Sequence, residues 1–160
     1  MRAVAESDAE AIAMIYNYYV ANSVITFEEE PVNAEEMSGR IAEVRAQGLP
    51  WLVAEIDGTV AGYSYASKWK SRSAYRHSVE TTIYLKNGLA GRGIGKKLYA
   101  ALLPILRSRN VHAVIGGAAL PNPASVSLHE SLGFERVATF RQVGFKHGRW
   151  VDVAYWELVL

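Results

Sequence analysis

Glycine occupies three alternate positions, 91, 93 and 95, between a strand-like segment and a helix-like segment. Because glycine has no Cβ, such a turn can adopt positive φ angles and gather backbone N–H groups around one point. The positive end of the following helix dipole faces the same point, and Arg92, Lys96 and Lys97 add positive charge. We therefore predict an anion site suited to the pyrophosphate of a nucleotide-containing cofactor. The alternative is a glycine-rich connection without a ligand.

Two common phosphate-binding motifs do not fit this turn. A Walker A loop requires Gly five residues before the Gly-Lys pair and Ser or Thr after it, but Ala90 and Lys97 occupy those positions. The dinucleotide-binding fingerprint requires Gly where Lys96 stands, and the next expected strand, 112–120, offers no acid for a ribose. The turn therefore indicates neither a P-loop nor a Rossmann-type site.

The apolar pattern on either side of the turn predicts a mixed α/β domain. Helices are expected over residues 8–20, from the Asn33 cap to Gly48, from the glycine-rich turn to about residue 109, and over 125–132. Strands are expected over 51–56, 60–67, 77–85 and 112–120, and a final hairpin follows Phe134 with its turn at 147–148. Pro104 should bend the third helix without ending it, because the apolar pattern continues beyond it.

Size and composition restrict the function classes. The 160 residues fit one domain, 1–160, and half of them are hydrophobic, as in an ordinary globular protein. With 17 basic and 16 acidic residues, the chain has no overall field for nucleic acid. Its apolar stretches are too short to span a bilayer and no leader pattern opens it, so we expect a cytoplasmic protein without membrane contact. The lack of cysteine excludes thiolate chemistry, and the spacing of the four histidines predicts no metal site.

Two motifs carry a resemblance to a known family. Arg92-Gly93-Ile94-Gly95 matches the glycines of a cofactor-binding turn, although Ala90 stands where that pattern opens with Gln or Arg. Residues 122–134 match a second signature, which runs Asn, two residues, Ala or Ser, two residues, Leu, Tyr and later Gly-Phe, with His129 in place of the tyrosine. The chain resembles the GNAT family of N-acetyltransferases. The resemblance implies a central, mostly antiparallel twisted sheet flanked by helices, and acetyl-CoA as cosubstrate.

The resemblance also implies which segments hold acetyl-CoA: the end of the strand before the turn, the turn itself and the short helix after the next strand. The residues concerned are Ile83, Tyr84, Leu85, Gly91, Arg92, Gly93, Ile94, Gly95, Lys96, Asn122 and Ser125. A backbone N–H within residues 83–85 is expected to stabilise the oxyanion that develops during acyl transfer.

Glu80 is the candidate general base. An alkyl amine is largely protonated at neutral pH, so a base must remove a proton before the amine can attack. Glu80 lies on the strand that enters the turn, where an acid has little structural reason to be, and partial burial would raise its pKa. The alternative is an edge-strand carboxylate in a salt bridge. The resemblance gives His129 a proton-transfer role, as acid or as base, although a hydrogen-bonded core histidine is the alternative.

Two features point to the acceptor. The runs 79–84 and 143–153, together with His129, resemble the phosphinothricin and methionine sulfoximine acetyltransferase branch. Residues 68–77 mix cations with aromatics, and positive charge there would hold a carboxylate or phosphinate; a nucleic-acid patch and a solvated loop are alternatives. The expected substrate-binding residues are Phe27, Lys70, Ser71, Arg72, Glu80, Thr81 and Thr82. Lys146 and Arg149 either contact ligand or lie on the final hairpin turn.

Together these features predict an enzyme that acetylates the α-amino group of a small amino acid. Direct attack in a ternary complex is expected, because the chain has no cysteine and no Gly-x-Ser-x-Gly nucleophile motif. Two alternatives stay open: an acetyltransferase for another amine, such as a polyamine or a protein N-terminus, and a non-catalytic module that binds acetyl-CoA or nucleic acid. The resemblance and the aromatic C-terminal strands predict a homodimer.

Overall fold

The computed structural model describes residues 1–160 and contains every element expected from the sequence, with bounds close to those expected. The strands are β1 (Arg2–Ala3), β2 (Trp51–Ile56), β3 (Thr59–Lys68), β4 (Ser78–Leu85), β5 (Ala113–Ala119), β6 (Glu135–Lys146) and β7 (Arg149–Val159). The helices are α1 (Ala9–Asn22), α2 (Ala34–Ala46), α3 (Ile94–Ser108) and α4 (Pro123–Ser131). None of the helices has the length and hydropathy that crossing a membrane requires. As expected, α3 continues past Pro104.

All seven strands form one sheet, in the order β1-β2-β3-β4-β5-β7-β6. Neighbouring strands run antiparallel, except for the parallel pair β4 and β5. The mostly antiparallel sheet predicted from the family resemblance is therefore confirmed. A parallel pair needs a crossover connection, and α3 supplies it.

Helices cover both faces of the sheet, because alternate side chains of a strand point to opposite sides. On one face, Trp51 and Val53 of β2 pack in a buried cluster with residues of α1 and α2. On the other face, Leu52 and Ala54 join a second cluster built around α3. Two helices begin at an asparagine cap, α2 at Asn33 and α4 at Asn122; at α2, Asn33 Oδ1 accepts a hydrogen bond of 2.9 Å from the N–H of Glu36.

The parallel pair opens at one end. β4 and β5 are paired from Ser78 opposite Ala113 to Thr81 opposite Gly116, yet β4 continues to residue 85 and β5 to residue 119. The two strands therefore separate beyond these pairs and leave a gap at their carboxyl ends. The glycine-rich turn follows β4 and α4 follows β5, so both connections lie beside the gap.

Candidate active site

A cleft of about 730 Å³ occupies the gap between β4 and β5. Its walls come from the end of β4, the glycine-rich turn, the first turn of α3, β5, α4, and the segment after α1. The residues of the expected site that line it are Glu80, Thr81, Thr82, Ile83, Tyr84, Leu85, Gly91, Gly93, Ile94, Gly95, Lys96, Asn122, Ser125 and His129. The fold thus brings together both candidate catalytic residues and most of the expected cofactor-binding residues.

The glycines of the turn have two different physical roles. Gly91 and Gly93 have φ angles of 77° and 76°, in the left-handed region that L side chains rarely adopt. Gly95 lies inside α3, where an added Cβ would come within 3.2 Å of the Leu128 side chain and 3.4 Å of the Ile83 side chain. The first two glycines therefore shape the turn, and the third permits close packing of α3 against α4 and β4.

The amino end of α3 fits an anion. Gly93 occupies the cap position without a side-chain hydrogen bond to the helix, and no acidic residue lies in the first turn. The N–H groups of that turn therefore lack a side-chain acceptor and point, with the positive end of the helix dipole, into the cleft. Of the three cations beside the turn, Lys96 lines the cleft, whereas Arg92 and Lys97 do not. These features suit the pyrophosphate of a cofactor such as acetyl-CoA.

The opposite wall is the start of α4. Asn122 caps this helix, and its Oδ1 accepts a hydrogen bond of 3.1 Å from the N–H of Ser125. Both residues line the cleft. Tyr19 of α1 lines the cleft at the end of β4, where its hydroxyl donates a 2.7 Å hydrogen bond to the carbonyl of Leu85.

Glu80 is not the edge-strand, salt-bridged carboxylate that the sequence left as an alternative. β4 lies inside the sheet, between β3 and β5, and Glu80 takes part in none of the ion pairs. Burial raises the pKa of its carboxyl, and the positive charge of Lys70 partly opposes this rise. A half-buried carboxylate without a partner can accept a proton from a ligand in the cleft.

Gly117 of β5 makes room for Glu80. A Cβ at this position would lie 3.0 Å from the ring of Tyr155 and 3.3 Å from Glu80 Oε1. Tyr155 in turn packs edge-on against Trp69, with ring centroids 5.7 Å apart, and the Lys70 ammonium lies 4.5 Å from the Trp69 centroid. Sequence reasoning missed Gly117 and Tyr155, since neither belongs to a motif and only the pairing of β5 with β7 brings them to Glu80.

His129 is buried, with 2% of its surface exposed. Its Nδ1 lies 2.8 Å from the carbonyl of Ser125, so Nδ1 carries the proton and donates it. Its Nε2 lies 3.2 Å from the Tyr99 hydroxyl, which also lines the cleft. Burial lowers the pKa of the imidazole, and the Ser125 bond partly opposes this. The neutral ring therefore lines the cleft and is also bonded to the Tyr99 hydroxyl, a cleft group that sequence reasoning did not single out.

Four expected substrate residues do not line the cleft. Lys70, Ser71 and Arg72 are exposed in the loop between β3 and β4, and Arg72 precedes a short 3₁₀ turn at Ser73–Tyr75. Phe27 is 40% exposed, and its ring packs on Gly144 of β6. Lys70 alone among the four perturbs Glu80 electrostatically. No group of three or more His, Asp or Glu side chains is placed to hold a metal ion.

A splayed parallel pair, with an anion-binding glycine turn after one strand and a carboxylate on the same strand, defines a class: acyltransferases that use a nucleotide thioester. The family model of the acetyltransferase (GNAT) domain matches residues 1–155. The chain belongs to this family and is an N-acetyltransferase, as the sequence predicted. A non-catalytic module is not favoured.

Relatives within the family are similar over nearly the whole chain. Phosphinothricin N-acetyltransferase of Streptomyces viridochromogenes is 38% identical over 157 residues, which cover 98% of this chain and 85% of that protein. The L-methionine sulfoximine/L-methionine sulfone acetyltransferase of Salmonella typhimurium is 34% identical over 155 residues, covering 97% and 91%. A phosphinothricin acetyltransferase from Sinorhizobium meliloti, solved in complex with AcCoA, superposes with a TM-score of 0.96 at 38% identity, covering 99% of this chain and 86% of that one.

Proposed function

We propose that the protein transfers the acetyl group of acetyl-CoA to the α-amino group of a small amino-acid-like acceptor of the phosphinothricin or methionine sulfoximine type. The observation that carries this proposal is the unpaired Glu80 carboxylate, in a cleft whose other end is the anion-binding turn. The names of the relatives support the acceptor class. We also propose one catalytic domain over 1–160; the cytoplasmic location and the absence of a metal stay predictions.

Acetyl-CoA, when bound, supplies a thioester that is already activated for attack by an amine. The turn from Gly91 to Lys96 and the N–H groups of α3 would hold its pyrophosphate. The backbone of residues 83–85 would lie along the thioester end, with Asn122 and Ser125 on the facing wall. Arg92 is exposed outside the cleft, so Lys96 is the better candidate for the direct cationic contact.

Glu80 would take the proton from the ammonium group of the acceptor, directly or through a water molecule. The raised pKa brings the carboxyl closer to the range in which it can both accept and release a proton. His129 would take part in proton transfer, as acid or as base, on the other side of the cleft. Its neutral ring accepts a hydrogen bond from the Tyr99 hydroxyl there. The acceptor would then attack in a ternary complex, because the chain has no cysteine and no Gly-x-Ser-x-Gly nucleophile motif.

Acceptor recognition would rest on the residues around Glu80. Thr81 and Thr82 are its neighbours on β4, and Lys70 supplies positive charge close to the carboxylate. An amino acid whose carboxylate is held by Lys70 or Arg72 would present its amine to Glu80. Ser71 and Phe27 would extend this surface beyond the cleft. A polyamine is itself positively charged, so Lys70 and Arg72 would repel it.

A comparison of acceptors tests this proposal. With acetyl-CoA and a thiol reporter, kcat/KM would be measured for methionine sulfoximine, phosphinothricin, spermidine and a peptide with a free N-terminus. We expect the two amino acids to be preferred; preference for either of the others would refute the acceptor class and leave the family unchanged. Incubation with acetyl-CoA alone should leave the intact mass of the protein unchanged, whereas a stable acetyl adduct would contradict direct attack.

We propose further that the protein forms a homodimer through the β6–β7 hairpin. β6 is an edge strand, and the hairpin exposes large apolar side chains: Val137, Phe140, Val143, Phe145 and Trp150. Monomeric proteins rarely expose so many apolar side chains on one element, and an edge strand invites pairing with a second copy. Trp150→Glu should convert a dimer to a monomer in size-exclusion chromatography with light scattering; an unaltered protein that elutes as a monomer would refute the dimer.

A further inference from the structure

Lys146 of β6 is a lysine with almost no contact with solvent. It is 1% exposed, and its ammonium donates hydrogen bonds of 2.7 Å to the carbonyl of Val20 and 2.9 Å to the carbonyl of Thr26. It forms none of the ion pairs. A buried ammonium destabilises a fold unless its N–H groups donate hydrogen bonds, so the two carbonyl contacts are needed to keep this cation buried.

The two carbonyl groups show which part of the chain the ammonium holds. Val20 lies in the last turn of α1, where carbonyl groups lack helical partners and the negative end of the helix dipole favours a cation. Thr26 lies in the segment that follows, and Ile25 and Thr26 both line the cleft. The ammonium therefore fixes the path of the chain from the end of α1 into the wall of the active site.

Gly144 holds the same segment from the same face of β6. Both Gly144 and Lys146 are buried, and the residue between them is exposed, as expected for one side of a strand. The space that a Cβ of Gly144 would take is filled by the ring of Phe27. Gly144 thus contacts Phe27, and the Lys146 ammonium contacts the preceding residue, Thr26.

The held segment, residues 24–27, crosses the gap between the separated strands. Val24 packs with Ala119 at the end of β5 and with Val151 of β7. The Thr26 hydroxyl lies 2.7 Å from the Tyr16 hydroxyl, and the Tyr16 ring packs edge-on against Tyr84 of β4 at 5.2 Å. The segment therefore bridges from β4 to β5 and β6, and none of these contacts involves a residue of the anion-binding turn.

We propose that Gly144 and Lys146 form a clamp that positions residues 24–27 over the cleft, and that this clamp sets the affinity for the amine acceptor without affecting that for acetyl-CoA. Both are positioning residues, since neither lines the cleft. The inference rests on the proposed function, because it needs an acceptor whose acetylation can be measured.

Two variants test the clamp. Lys146→Met keeps an unbranched side chain, one atom shorter, and removes its donors, and Gly144→Ala places a methyl group against Phe27. Each should raise KM for the preferred acceptor by roughly tenfold, because a displaced segment no longer holds the acceptor in place, and leave KM for acetyl-CoA within about twofold. Arg141→Met removes an exposed cation from the same strand and should change neither constant. Light scattering would check that all variants keep the oligomeric state of the parent.

A substrate-independent measurement separates this inference from the proposed function. Amide hydrogen exchange in residues 23–28 should be at least about tenfold faster in Lys146→Met than in the parent or in Arg141→Met, because the segment loses its anchor. Unchanged exchange there, or an equal rise in both KM values, would overturn the clamp even if every acceptor is acetylated as proposed. If Gly144→Ala acts through the ring, adding it to Phe27→Ala should have no further effect on KM; additive effects would also overturn it.

Discussion

Replacement of Glu80 by Gln tests the proposed chemistry most directly. The change keeps the shape of the side chain and removes its ability to accept a proton. A positioned general base contributes on the order of 10²–10⁴ in rate, and Glu80 forms no ion pair whose loss would disturb the cleft. We therefore expect kcat to fall about a hundredfold or more, which corresponds to at least about 2.7 kcal/mol of transition-state stabilisation. Affinity for acetyl-CoA should be almost unchanged.

The structure also predicts how kcat/KM of the parent and of Glu80→Gln should depend on pH. Burial raises the pKa of Glu80, so the parent should lose kcat/KM as pH falls through this raised pKa and the base becomes protonated. This acid limb should be absent in Glu80→Gln. Lys70→Met removes the charge that opposes the rise and should move the limb to higher pH. Equal activity of Glu80→Gln and the parent across the pH series would refute the role of Glu80 as base.

Glu80→Gln should stabilise the folded protein even though it lowers activity. A carboxyl whose pKa is higher in the folded than in the unfolded state binds its proton more tightly when folded, so its stabilising contribution is present at low pH and is lost as pH rises through the folded pKa. Glu80→Gln should therefore unfold at a higher temperature than the parent at pH 7. The difference should shrink as pH falls towards the ordinary pKa of Glu. Thermal unfolding at several pH values measures it.

Three further variants separate the parts of the site. Acetyl-CoA at a hundredfold excess over its dissociation constant should stabilise the parent by about 2.7 kcal/mol, and Gly93→Val should abolish the melting shift because Val cannot easily adopt a φ of 76°. His129→Phe should lower kcat less than Glu80→Gln does, since both ring nitrogens already bond within the protein; a larger loss would give His129 the dominant role. Arg72→Ala should raise KM for acidic acceptors by roughly tenfold and spare neutral amines, and an equal effect on both would exclude a carboxylate contact.

The sequence predicted the order and bounds of the elements because their signals are local. Asn33 and Asn122 cap helices through hydrogen bonds within three residues, and Asp57-Gly58 closes the β2–β3 hairpin with positive φ at both residues. Glycine-rich turn chemistry is local too, so the anion site after β4 could be placed before the structure was known. The resemblance then supplied the mostly antiparallel character of the sheet, which no local signal contains.

Contacts between residues distant in sequence could not be predicted in the same way. The sequence predicts that Lys146 either contacts ligand or lies on the hairpin turn, yet its ammonium donates to carbonyl groups 126 and 120 residues away. The sequence predicts that Lys70, Ser71 and Arg72 of the loop 68–77 bind the acceptor, but Lys70 alone among them acts on the Glu80 carboxyl. Which of several exposed cations lies near a buried carboxyl depends on strand register and loop path, and composition does not encode either.

Glycines at three positions outside the cofactor turn show how the sheet makes space for function. A Cβ at Gly116 would collide with the His129 ring, one at Gly117 would crowd Tyr155 and Glu80, and one at Gly144 would collide with Phe27. None of the three has a positive φ angle, so the constraint is the space that a neighbouring side chain takes and not the backbone conformation. Strand glycines weaken a sheet, and here each one faces a residue of the proposed site. An unexplained glycine within a strand can therefore mark a position where a side chain distant in sequence lies against the backbone.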